Sequence, residues 1–569
     1  MAERLLSKNL TIAEILEAIN RRHQGRIALQ IKNEDGSFRR LSYEDLGRRA
    51  VDVSSTLIKL GIVKDERVAI LSESRPEWAV AFFGAISAAA IVVPIDVKLT
   101  EKEVQFILND SRAVCIFVSK KCLGLLDNLK FVLPYLKHII LLDESERDGI
   151  IQLKGLRLKE GEEKNRPVYA QDTVLIVYTS GTTGVAKGVM LSYENLLFQV
   201  SALSGVICYS NSDRLLSILP LNHMLEMTGG LILPLYSGAC ITYASTLKAS
   251  ELIGLMKETH TTFMIAVPLV LKMFYDGIMR KAERMDNLKR KSFYALFSFS
   301  KAMLKLNIRM GRRLFAALHD EFGGNLKCFV SGGAPLNTDL EVGFNALGFR
   351  LLQGYGLTET APVISVNSYR HNKFGSVGRP LPGVEVKIKK DNPNAQSGEI
   401  VTRGPHVMRG YFQNQEKTRE ILKDGWLHTG DIGYLDRSGF LHISGRARNL
   451  IVLGGGKKVF PEEVEEVIGK SPYIKEICVL SRSAERGMRK GTEEVYAVIV
   501  PQLEAFDKSQ RGDKEKIKEK ISGEILNLGR DLAEYKRISG FELYFDELPK
   551  TATKKLRRSL ISEIAAAKK

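Results

Sequence analysis

The chain has 569 residues, enough for more than one domain, and its 44% hydrophobic and 26% charged residues are ordinary for a soluble globular protein. Lysine and arginine outnumber aspartate and glutamate by 83 to 66, and the resulting net charge of +17 favours anionic partners without choosing among them. The six cysteines include no Cys-x-x-Cys pair, so we expect reduced thiols, a cytoplasmic location and no metal cluster.

Strand and helix patterns alternate through the first third of the chain. Ser42 precedes periodic apolar positions that predict a helix as far as Leu60, and Val68–Leu71 predicts a strand. Residues 79–95 form the most hydrophobic run; they are marginal in length for a membrane span, and they predict a buried helix followed by a short strand that Pro94 ends. Further strands are predicted at Ala113–Val118, Ile139–Leu142 and Thr173–Tyr178. This alternation predicts parallel sheets with helices on both faces.

The stretch from Tyr178 to Ser192 has the sequence YTSGTTGVAKGVMLS. Its glycines let backbone N–H groups approach a ligand, its hydroxyls add donors and Lys187 adds a positive charge, so the loop is suited to a polyphosphate. The spacing does not fit the Gly-x4-Gly-Lys-Ser/Thr pattern of P-loop proteins. Ser192 is predicted to be the N-cap of a helix that follows soon after the loop.

Three later stretches place polar groups after predicted strands. In the segment LNHMLE a lone histidine, His223, is on its own most simply a structural polar group. The strand beginning at Cys328 runs into a glycine-rich turn. The segment LQGYGLTET then offers the ring of Tyr355 to a purine, the hydroxyl of Thr358 to a phosphate and a hard oxygen of Glu359 to Mg²⁺.

Residues 270–320 contain twelve Lys or Arg and four Asp or Glu, interleaved with aromatic and aliphatic side chains. A long solvated helical insertion with one core-facing stripe would give this pattern. A basic amphipathic surface that contacts anionic lipid would give it as well. RNA binding would also suit the charge, but no recognisable nucleic-acid fold supports it, and we expect no nucleic-acid partner.

These stretches, with GWLHTGDIGYLD near residue 430 and LPKTATKK near residue 550, resemble the motifs of the adenylate-forming superfamily. That group includes acyl-CoA synthetases, luciferases and the adenylation domains of peptide synthetases. The resemblance extends from Val68 to Lys555 and looks closest to bacterial long-chain fatty acid–CoA ligases. It implies an AMP-forming acid–thiol ligase that activates a fatty acid with ATP and Mg²⁺ as acyl-adenylate. The acyl group then passes to CoA, with release of AMP and pyrophosphate.

The same resemblance implies the architecture. We expect an α/β fold with a large N-terminal domain of parallel and mixed sheets flanked by helices, a β-rich subdomain, and a small mobile α+β C-terminal domain. The N-terminal AMP-binding domain would span residues 1–446, the hinge 447–449, and the C-terminal domain with the catalytic lysine 450–569. The family usually has Asp or Lys at the hinge, where this chain has Arg448 or Asn449.

The resemblance also assigns site residues. The residues that it assigns to catalysis are Lys555, Glu359, Thr358 and His223. In this assignment His223 lies beside the acyl carboxylate and Glu359 is the Mg²⁺ ligand. The segments that it assigns to binding of the nucleotide and CoA are the polyphosphate loop, the glycine-rich turns, the purine segment and an Asp–Arg pair. These residues are Thr179, Ser180, Gly181, Thr182, Thr183, Gly184, Lys187, Gly332, Gly333, Ala334, Gln353, Gly354, Tyr355, Gly356, Asp431, Arg446, Gly454, Gly455 and Gly456.

Individual roles follow from the same source. Asp431 would accept hydrogen bonds from the ribose hydroxyls, and the backbone of residues 454–456 would lie along the phosphopantetheine arm of CoA, although these glycines are also suited to a plain β-turn. The chain departs from the family at Lys554, which replaces the usual Gly. That departure leaves two adjacent lysines as candidates for the catalytic group, and register favours Lys555.

Two alternatives stay open at this point. Acyl carrier protein presents the same phosphopantetheine thiol as CoA, so the chain could be an acyl–acyl carrier protein synthetase of the same mechanism. A non-catalytic nucleotide- or lipid-binding protein is the second alternative, suggested only by Lys554. The expected location is cytoplasmic, with or without peripheral contact at the inner face of the membrane. Acyl chain length and oligomeric state are not determined by the sequence.

Overall fold

The computed structural model describes residues 12–129, 132–145, 150–158, 165–179, 186–390, 392–453, 457–483, 493–507, 509–550 and 556–567. The chain divides into two compact units, the first formed by Met1–Val386 with Thr402–Leu427 and the second by Lys387–Val401 with His428–Lys569. The hinge expected at 447–449 divides the chain at a different place and stays a prediction.

The strands, in chain order, are β1 Ile27–Lys32, β2 Phe38–Ser42, β3 Arg67–Leu71, β4 Ile91–Ile95, β5 Ala113–Val118, β6 His138–Leu141, β7 Ile151–Gln152, β8 Thr173–Thr179, β9 Lys187–Ser192, β10 Arg214–Ser217, β11 Cys240–Tyr243, β12 Phe263–Ala266, β13 Cys328–Ser331, β14 Leu351–Gly356, β15 Val363–Val366, β16 Arg379–Pro380, β17 Glu385–Lys389, β18 Gly398–Arg403, β19 Gly410–Tyr411, β20 Leu422–Lys423, β21 Trp426–Leu435, β22 Leu441–Arg446, β23 Ile451–Val452, β24 Lys458–Val459, β25 Ile474–Ser483, β26 Glu493–Pro501 and β27 Gly540–Leu543.

The helices are α1 Ile12–Arg22, α2 Tyr43–Lys59, α3 Pro76–Ser87, α4 Glu101–Asp110, α5 Lys120–Asp127, α6 Tyr193–Ser204, α7 Met224–Glu226, α8 Leu233–Tyr236, α9 Ala249–Thr259, α10 Pro268–Glu283, α11 Asn287–Lys305, α12 Gly311–Leu314, α13 Ala316–Glu321, α14 Thr338–Ala346, α15 Gln415–Ile421, α16 Pro461–Ile468, α17 Lys514–Leu528 and α18 Arg558–Ala567. A π-helix, Met227–Ile232, connects α7 to α8.

A nine-stranded sheet in the first unit has the order β16-β15-β14-β13-β12-β10-β11-β1-β2. The strands from β14 to β1 are parallel, and antiparallel strands close both edges. Because parallel strands end at the same edge of a sheet, the segments that follow β10, β13 and β14 meet there. Those segments carry His223, the glycine-rich turn and the purine motif.

An eight-stranded sheet in the same unit has the order β19-β9-β8-β4-β3-β5-β6-β7 and is parallel from β8 to β7. Every residue of α3 is buried, as expected for a helix that is apolar all round. Its side chains belong to one hydrophobic core that also contains residues of both sheets, such as Val92 and Leu215. The predicted α/β architecture of parallel and mixed sheets with flanking helices is confirmed.

Three local predictions have different outcomes. Ser192 is the N-cap of α6, and a reciprocal capping box with Asn195 confirms the prediction. The strand β9, which lies between the polyphosphate loop and that helix, was not predicted. The prediction that Pro94 ends its strand is wrong, because β4 continues to Ile95. Pro94 is the register partner of Ile70 in β3, and on the other side β4 is paired with β8 at Val92, so pairing on both sides of the strand holds it without an N–H at residue 94.

The second unit contains a small α+β arrangement, as predicted. Strands β25 and β26 pair antiparallel, and β27 adds parallel to β26. Helices α16 and α17 cover this sheet with apolar side chains such as Val464 and Ile521, which are fully buried in one core. Strands β17, β18, β21, β20 and β22 form a five-stranded sheet.

The contact between α2 and α3 gives a stability prediction. A Cβ atom on Gly84 would lie 2.3 Å from a Val53 methyl carbon and 2.9 Å from the Ala50 carbonyl oxygen. Gly84→Ala therefore overpacks the core, and we expect the free energy of unfolding to fall by about 1–3 kcal/mol. The measurement is the midpoint of the thermal or urea transition of the first unit.

Gly277→Ala is the matched control, because Gly277 lies in α10 and a Cβ there meets no atom within 4 Å. This variant should be as stable as the wild type or more stable by up to about 1 kcal/mol, since alanine is the better helix former. Equal stability of Gly84→Ala and the wild type would contradict the packing described here.

Candidate active site

Three predicted motifs meet at the carboxyl edge of the nine-stranded sheet. Ser331 at the end of β13 is the register partner of Gln353 in β14. A Cβ on Gly332 would lie 3.1 Å from the Leu225 side chain and 3.9 Å from the Gly354 carbonyl oxygen. The glycine-rich turn of Gly332, Gly333 and Ala334 is therefore adjacent both to the purine segment and to the segment that carries His223.

The backbone around Thr358 and Glu359 is held tightly. A Cβ on Gly356 would lie 1.8 Å from the Pro362 carbonyl oxygen, so only glycine fits at that position. The Thr360 hydroxyl accepts from the Leu357 N–H at 2.9 Å and donates to the Pro362 carbonyl at 2.6 Å. These bonds close a 3-10 turn over Thr358–Thr360 and leave Tyr355, Thr358 and Glu359 partly exposed. The predicted purine, phosphate and metal contacts are thus presented on a fixed loop.

Tyr411 connects the purine motif to the polyphosphate loop. Its hydroxyl donates to Glu359 Oε1 at 2.9 Å, and the Lys187 ammonium nitrogen lies 5.3 Å from the centre of its ring. Burial and the negative charge of Glu359 both raise the pKa of the Tyr411 hydroxyl, so it remains a donor at all physiological pH values. Because Tyr411 also pairs with Val189 of β9, Tyr411 and Lys187 lie at one edge of the eight-stranded sheet, and the hydrogen bond joins Glu359 to that edge.

The polyphosphate loop connects two antiparallel strands. Thr179 ends β8, Lys187 begins β9, and the two residues are register partners. The predicted contacts Ser180, Gly181, Thr182, Thr183 and Gly184 lie outside the described residues. Both ends of the loop are therefore fixed, and its second end, Lys187, lies beside Tyr411.

His223 faces a carboxylate that the sequence analysis did not identify. Its Nε2 atom lies 3.6 Å from Asp96 Oδ2, and Asp96 directly follows β4 of the eight-stranded sheet. Burial opposes ionisation of Asp96, but His223 and the backbone N–H of Lys98 outweigh it, so the pKa of this carboxyl is below its usual value. The Ser74 hydroxyl donates to the Leu219 carbonyl and accepts from the Leu221 N–H, which fixes the segment leading to His223.

Glu226 lies one helical turn after His223 and is fully buried. Burial raises the pKa of this carboxyl to about 8, so it is mostly neutral at physiological pH. Gly230 makes room for it, because a Cβ there would lie 2.5 Å from the Glu226 carboxyl. The consequence is that this glutamate adds little negative charge near the position expected for an acyl carboxylate.

In the second unit, Asp431 and Arg446 are register partners on β21 and β22. The Arg446 Nε atom lies 2.8 Å from Asp431 Oδ1, and Asp431 is buried. The Asp431 N–H donates to the Thr429 hydroxyl at 3.1 Å, which itself donates to the Ile400 carbonyl. The two residues that were assigned to the nucleotide are thus a rigid, directly bonded pair.

The described residues include the predicted hinge but not the predicted catalytic lysine. Asn449 donates to Glu462 Oε1 at 2.7 Å and is thereby bonded to α16. Gly454, Gly455, Gly456 and Lys555 lie outside the described residues. Lys550 and Leu556, which flank residues 551–555, form an antiparallel bridge. Arg558, two residues further on, lies 2.6 Å from Glu465 of α16, so the chain is anchored on both sides of the predicted lysine.

Tyr411 and Asp96 are the two site residues that sequence reasoning missed. Asp96 had a detectable signal, because a polar residue directly after a buried parallel strand lies at the edge where ligands bind. Tyr411 had no such signal in the sequence, because its contact partner Glu359 is 52 residues away along the chain.

The donor set at Glu359 fits a magnesium ion that is bound mainly through substrate. Among the described residues, no group of three or more His, Cys, Asp or Glu side chains is arranged to hold a metal. Mg²⁺ in nucleotide sites is usually held by one or two carboxylates together with phosphate oxygens and water. One partly exposed carboxylate beside a polyphosphate loop meets that requirement.

Comparison with known proteins gives the family. Residues 16–412 match the family model described as AMP-binding enzyme, and residues 463–555 match the AMP-binding enzyme C-terminal domain. The chain therefore belongs to the AMP-binding enzyme family.

The chain is similar to particular fatty acid ligases and to a solved CoA ligase structure. The chain is 30% identical to the long-chain-fatty-acid–CoA ligase FadD15 of Mycobacterium bovis over 445 residues, which covers 74% of this chain and 72% of the relative. It is 26% identical to the chloroplastic long-chain-fatty-acid–[acyl-carrier-protein] ligase AEE15 of Arabidopsis thaliana, covering 90% of this chain and 78% of the relative. The crystal structure of the anthranilate CoA ligase AuaEII in complex with anthranoyl-AMP has the same fold, with a TM-score of 0.79, 24% identity and 98% coverage of both chains.

The contact between Asp96 and His223 gives a functional prediction. In Asp96→Asn the amide oxygen can still accept from the Lys98 N–H, but the negative charge that faces the His223 ring at 3.6 Å is lost. If His223 attracts the acyl carboxylate, KM for the fatty acid should rise roughly three- to tenfold, since such a charge pair contributes about 1 kcal/mol. Steady-state kinetics with the fatty acid varied at saturating ATP and CoA measure this change.

Asp143→Asn is the matched control, because Asp143 also follows a strand of the eight-stranded sheet but bonds to Arg75 and the Lys120 N–H. It should leave KM for the fatty acid unchanged. An equal effect of both substitutions, or a KM for ATP that changes as much as that for fatty acid, would contradict the role of Asp96.

Proposed function

We propose that the protein is an ATP-dependent fatty acid–CoA ligase that forms an acyl-adenylate and transfers the acyl group, expected to be long-chain, to CoA. The observation that carries the proposal is the Tyr411 contact, which places Glu359 beside Lys187 at the base of the polyphosphate loop. The relative that is 30% identical is a long-chain-fatty-acid–CoA ligase, which supports the choice of a fatty acid as substrate.

The first half-reaction forms a mixed anhydride. A carboxylate oxygen of the fatty acid attacks the α-phosphorus of ATP, and the bond from that phosphorus to pyrophosphate breaks. Charge increases on the α-phosphate oxygens, so the work of the protein is positioning and charge stabilisation. In the proposal Lys187 and the polyphosphate loop hold the β- and γ-phosphates, while Thr358 and Lys555 act at the α-phosphate. His223, with Asp96 behind it, orients the acyl carboxylate.

The second half-reaction transfers the acyl group to sulfur. The CoA thiol loses its proton, sulfur bonds to the acyl carbon, and the bond from that carbon to the AMP oxygen breaks. A carboxylate alone has no adequate leaving group for this step, and adenylation supplies one. We assign Gly454, Gly455 and Gly456 to the phosphopantetheine arm, and Asp431 with Arg446 to the ribose. The hinge at 447–449 would exchange the loops that serve the two steps.

Mg²⁺ belongs to the proposal because the residues at Glu359 fit it. When bound with ATP, the ion would neutralise phosphate charge. Glu359 would hold it, and Tyr411 would keep the glutamate side chain in one orientation.

A second candidate function differs from the first in the molecule that accepts the acyl group. One of the relatives is a ligase that uses acyl carrier protein, so transfer to that protein is the alternative proposal. The test is product analysis with a panel of fatty acids of different chain length, each offered with CoA or with holo-acyl carrier protein. Thioester formed on CoA with pyrophosphate release supports the proposal, and thioester formed only on the carrier protein replaces it.

We also propose a cytoplasmic location with peripheral contact at the inner face of the membrane. None of the helices that the structure describes is long and apolar enough to cross a bilayer. The basic stretch of residues 270–320 supports a surface contact.

Glu359→Gln tests the metal assignment. The amide can still accept from Tyr411 but lacks the charge that a divalent ion prefers. We expect fatty acid binding near the wild-type level, a weaker Mg²⁺ dependence of ATP binding, and slow adenylation. Calorimetric titration of ATP with and without Mg²⁺ and pyrophosphate release at limiting Mg²⁺ measure the two effects. Wild-type pyrophosphate release in limiting Mg²⁺ would remove Glu359 from the proposal.

Lys555→Ala tests the division of labour between the half-reactions. Removing one donor to the charge at the α-phosphate should slow acyl-adenylate formation about 10²–10³-fold. Thioester formation from supplied acyl-adenylate and CoA should remain near the wild-type rate, because that step places charge on an acyl oxygen instead.

Lys554→Ala is the control and should have a much smaller effect on adenylation. Equal loss in both half-reactions of Lys555→Ala would refute the exchange of loops. A larger loss from Lys554→Ala would move the catalytic role to the preceding residue.

A further inference from the structure

Helix α11 has an inner apolar face that packs on the rest of the first unit and an outer apolar face that is exposed. On the inner face Phe293 stacks on Phe297 with ring centres 6.2 Å apart and meets Phe315 edge-on at 5.3 Å. The Ser300 hydroxyl donates to the Ala346 carbonyl of α14 at 2.6 Å. These contacts anchor the helix, so its opposite side is not needed for the core.

The outer face is an exposed apolar stripe. Leu288 is 77% exposed, Leu296 38%, Phe299 46% and Leu306 66%. With the exposed Ala295 and Ala302 they fall at positions i, i+7, i+8, i+11, i+14 and i+18, which is one side of a helix. Ile308, three residues after the end of the helix, is 47% exposed. Scattered exposed apolar residues are normal, whereas exposed apolar side chains gathered on one side of a helix are typical of an interaction surface.

The segment that carries the stripe has basic but no acidic side chains. Residues 287–313 contain eight Lys or Arg and no Asp or Glu. Arg290 and Arg309 bond to asparagine side chains, and Lys289 lies 3.1 Å from Asp286 at the start of the helix. Lys291 and Lys305 flank the stripe and are exposed, and no acidic side chain within residues 287–313 neutralises them.

We propose that the outer face of α11, formed by Leu288, Leu296, Phe299 and Leu306 with Lys291 and Lys305, docks on an anionic lipid bilayer. The inference deepens the peripheral contact proposed above and rests on it. Apolar side chains would enter the boundary between headgroups and acyl chains, while the lysine ammonium groups remain with the anionic headgroups.

Charge complementarity selects this occupant over a second copy of the chain. A twofold contact of α11 on α11 would bring the Lys291 and Lys305 flank of one copy against the same basic flank of the other, and residues 287–313 supply no acidic group to offset these charges. An anionic bilayer satisfies both the apolar stripe and the flanking charge.

The test is flotation of the full-length protein with vesicles of phosphatidylcholine alone or mixed with phosphatidylglycerol. We expect the wild type to bind the anionic vesicles at least about tenfold better than the neutral ones, and added salt should reduce that binding. Leu296→Ser with Phe299→Ser should lose most of the binding, because the stripe is interrupted at its centre. Both substitutions lie on the exposed face and should leave the fold intact, which circular dichroism checks.

The matched control is Val63→Ser with Leu247→Ser, since these residues are 54% and 42% exposed in the same unit but lie outside α11. It should float like the wild type. Equal flotation of the stripe variant and the wild type overturns the proposal, and so does a wild-type dimer in sedimentation that the stripe variant abolishes. Absence of wild-type binding removes the peripheral contact itself. Fatty-acid-dependent pyrophosphate release without vesicles tests the ligase function separately.

Discussion

The hydrogen bond from Tyr411 to Glu359 is the contact on which the proposed active site depends. It joins the loop after β14 to the hairpin of β8 and β9, and so connects the two large sheets of the first unit where their functional loops lie. Lys187 lies over the same ring, so a carboxylate suited to a metal and an ammonium suited to phosphate are held at one place. This contact reinforces backbone bonding between the same elements, because the Met408 N–H donates to the Glu359 carbonyl at 2.9 Å.

The rigid backbone around Glu359 holds its carboxylate in place for the contact with Tyr411. The space at Gly356 excludes any side chain, and Thr360 closes the turn with its hydroxyl. Charge stabilisation is most effective when the groups are already in place before charge develops. The same reasoning applies to His223, since Ser74 holds the segment before it and Asp96 faces its ring.

Much of this arrangement could be predicted from sequence, because periodicity and strand-end chemistry are local. The buried helix α3, the N-cap at Ser192 and the alternation of strands with helices all followed from patterns a few residues long. Contacts such as that of Tyr411 with Glu359 could not be predicted, since they depend on how distant strands pair. The strand β9 was missed because a short strand after a glycine-rich loop has little periodicity of its own. The end of β4 was misplaced because its pairing with β3 continues through Pro94, and that pairing depends on distant residues.

Fatty-acid-dependent exchange of labelled pyrophosphate into ATP, measured without CoA, tests the central claim most directly. If the site adenylates a fatty acid, exchange should require the fatty acid and Mg²⁺ and should proceed with no acceptor thiol present. ATP binding without exchange for any fatty acid of the panel, or exchange that appears only after CoA is added, would contradict the account.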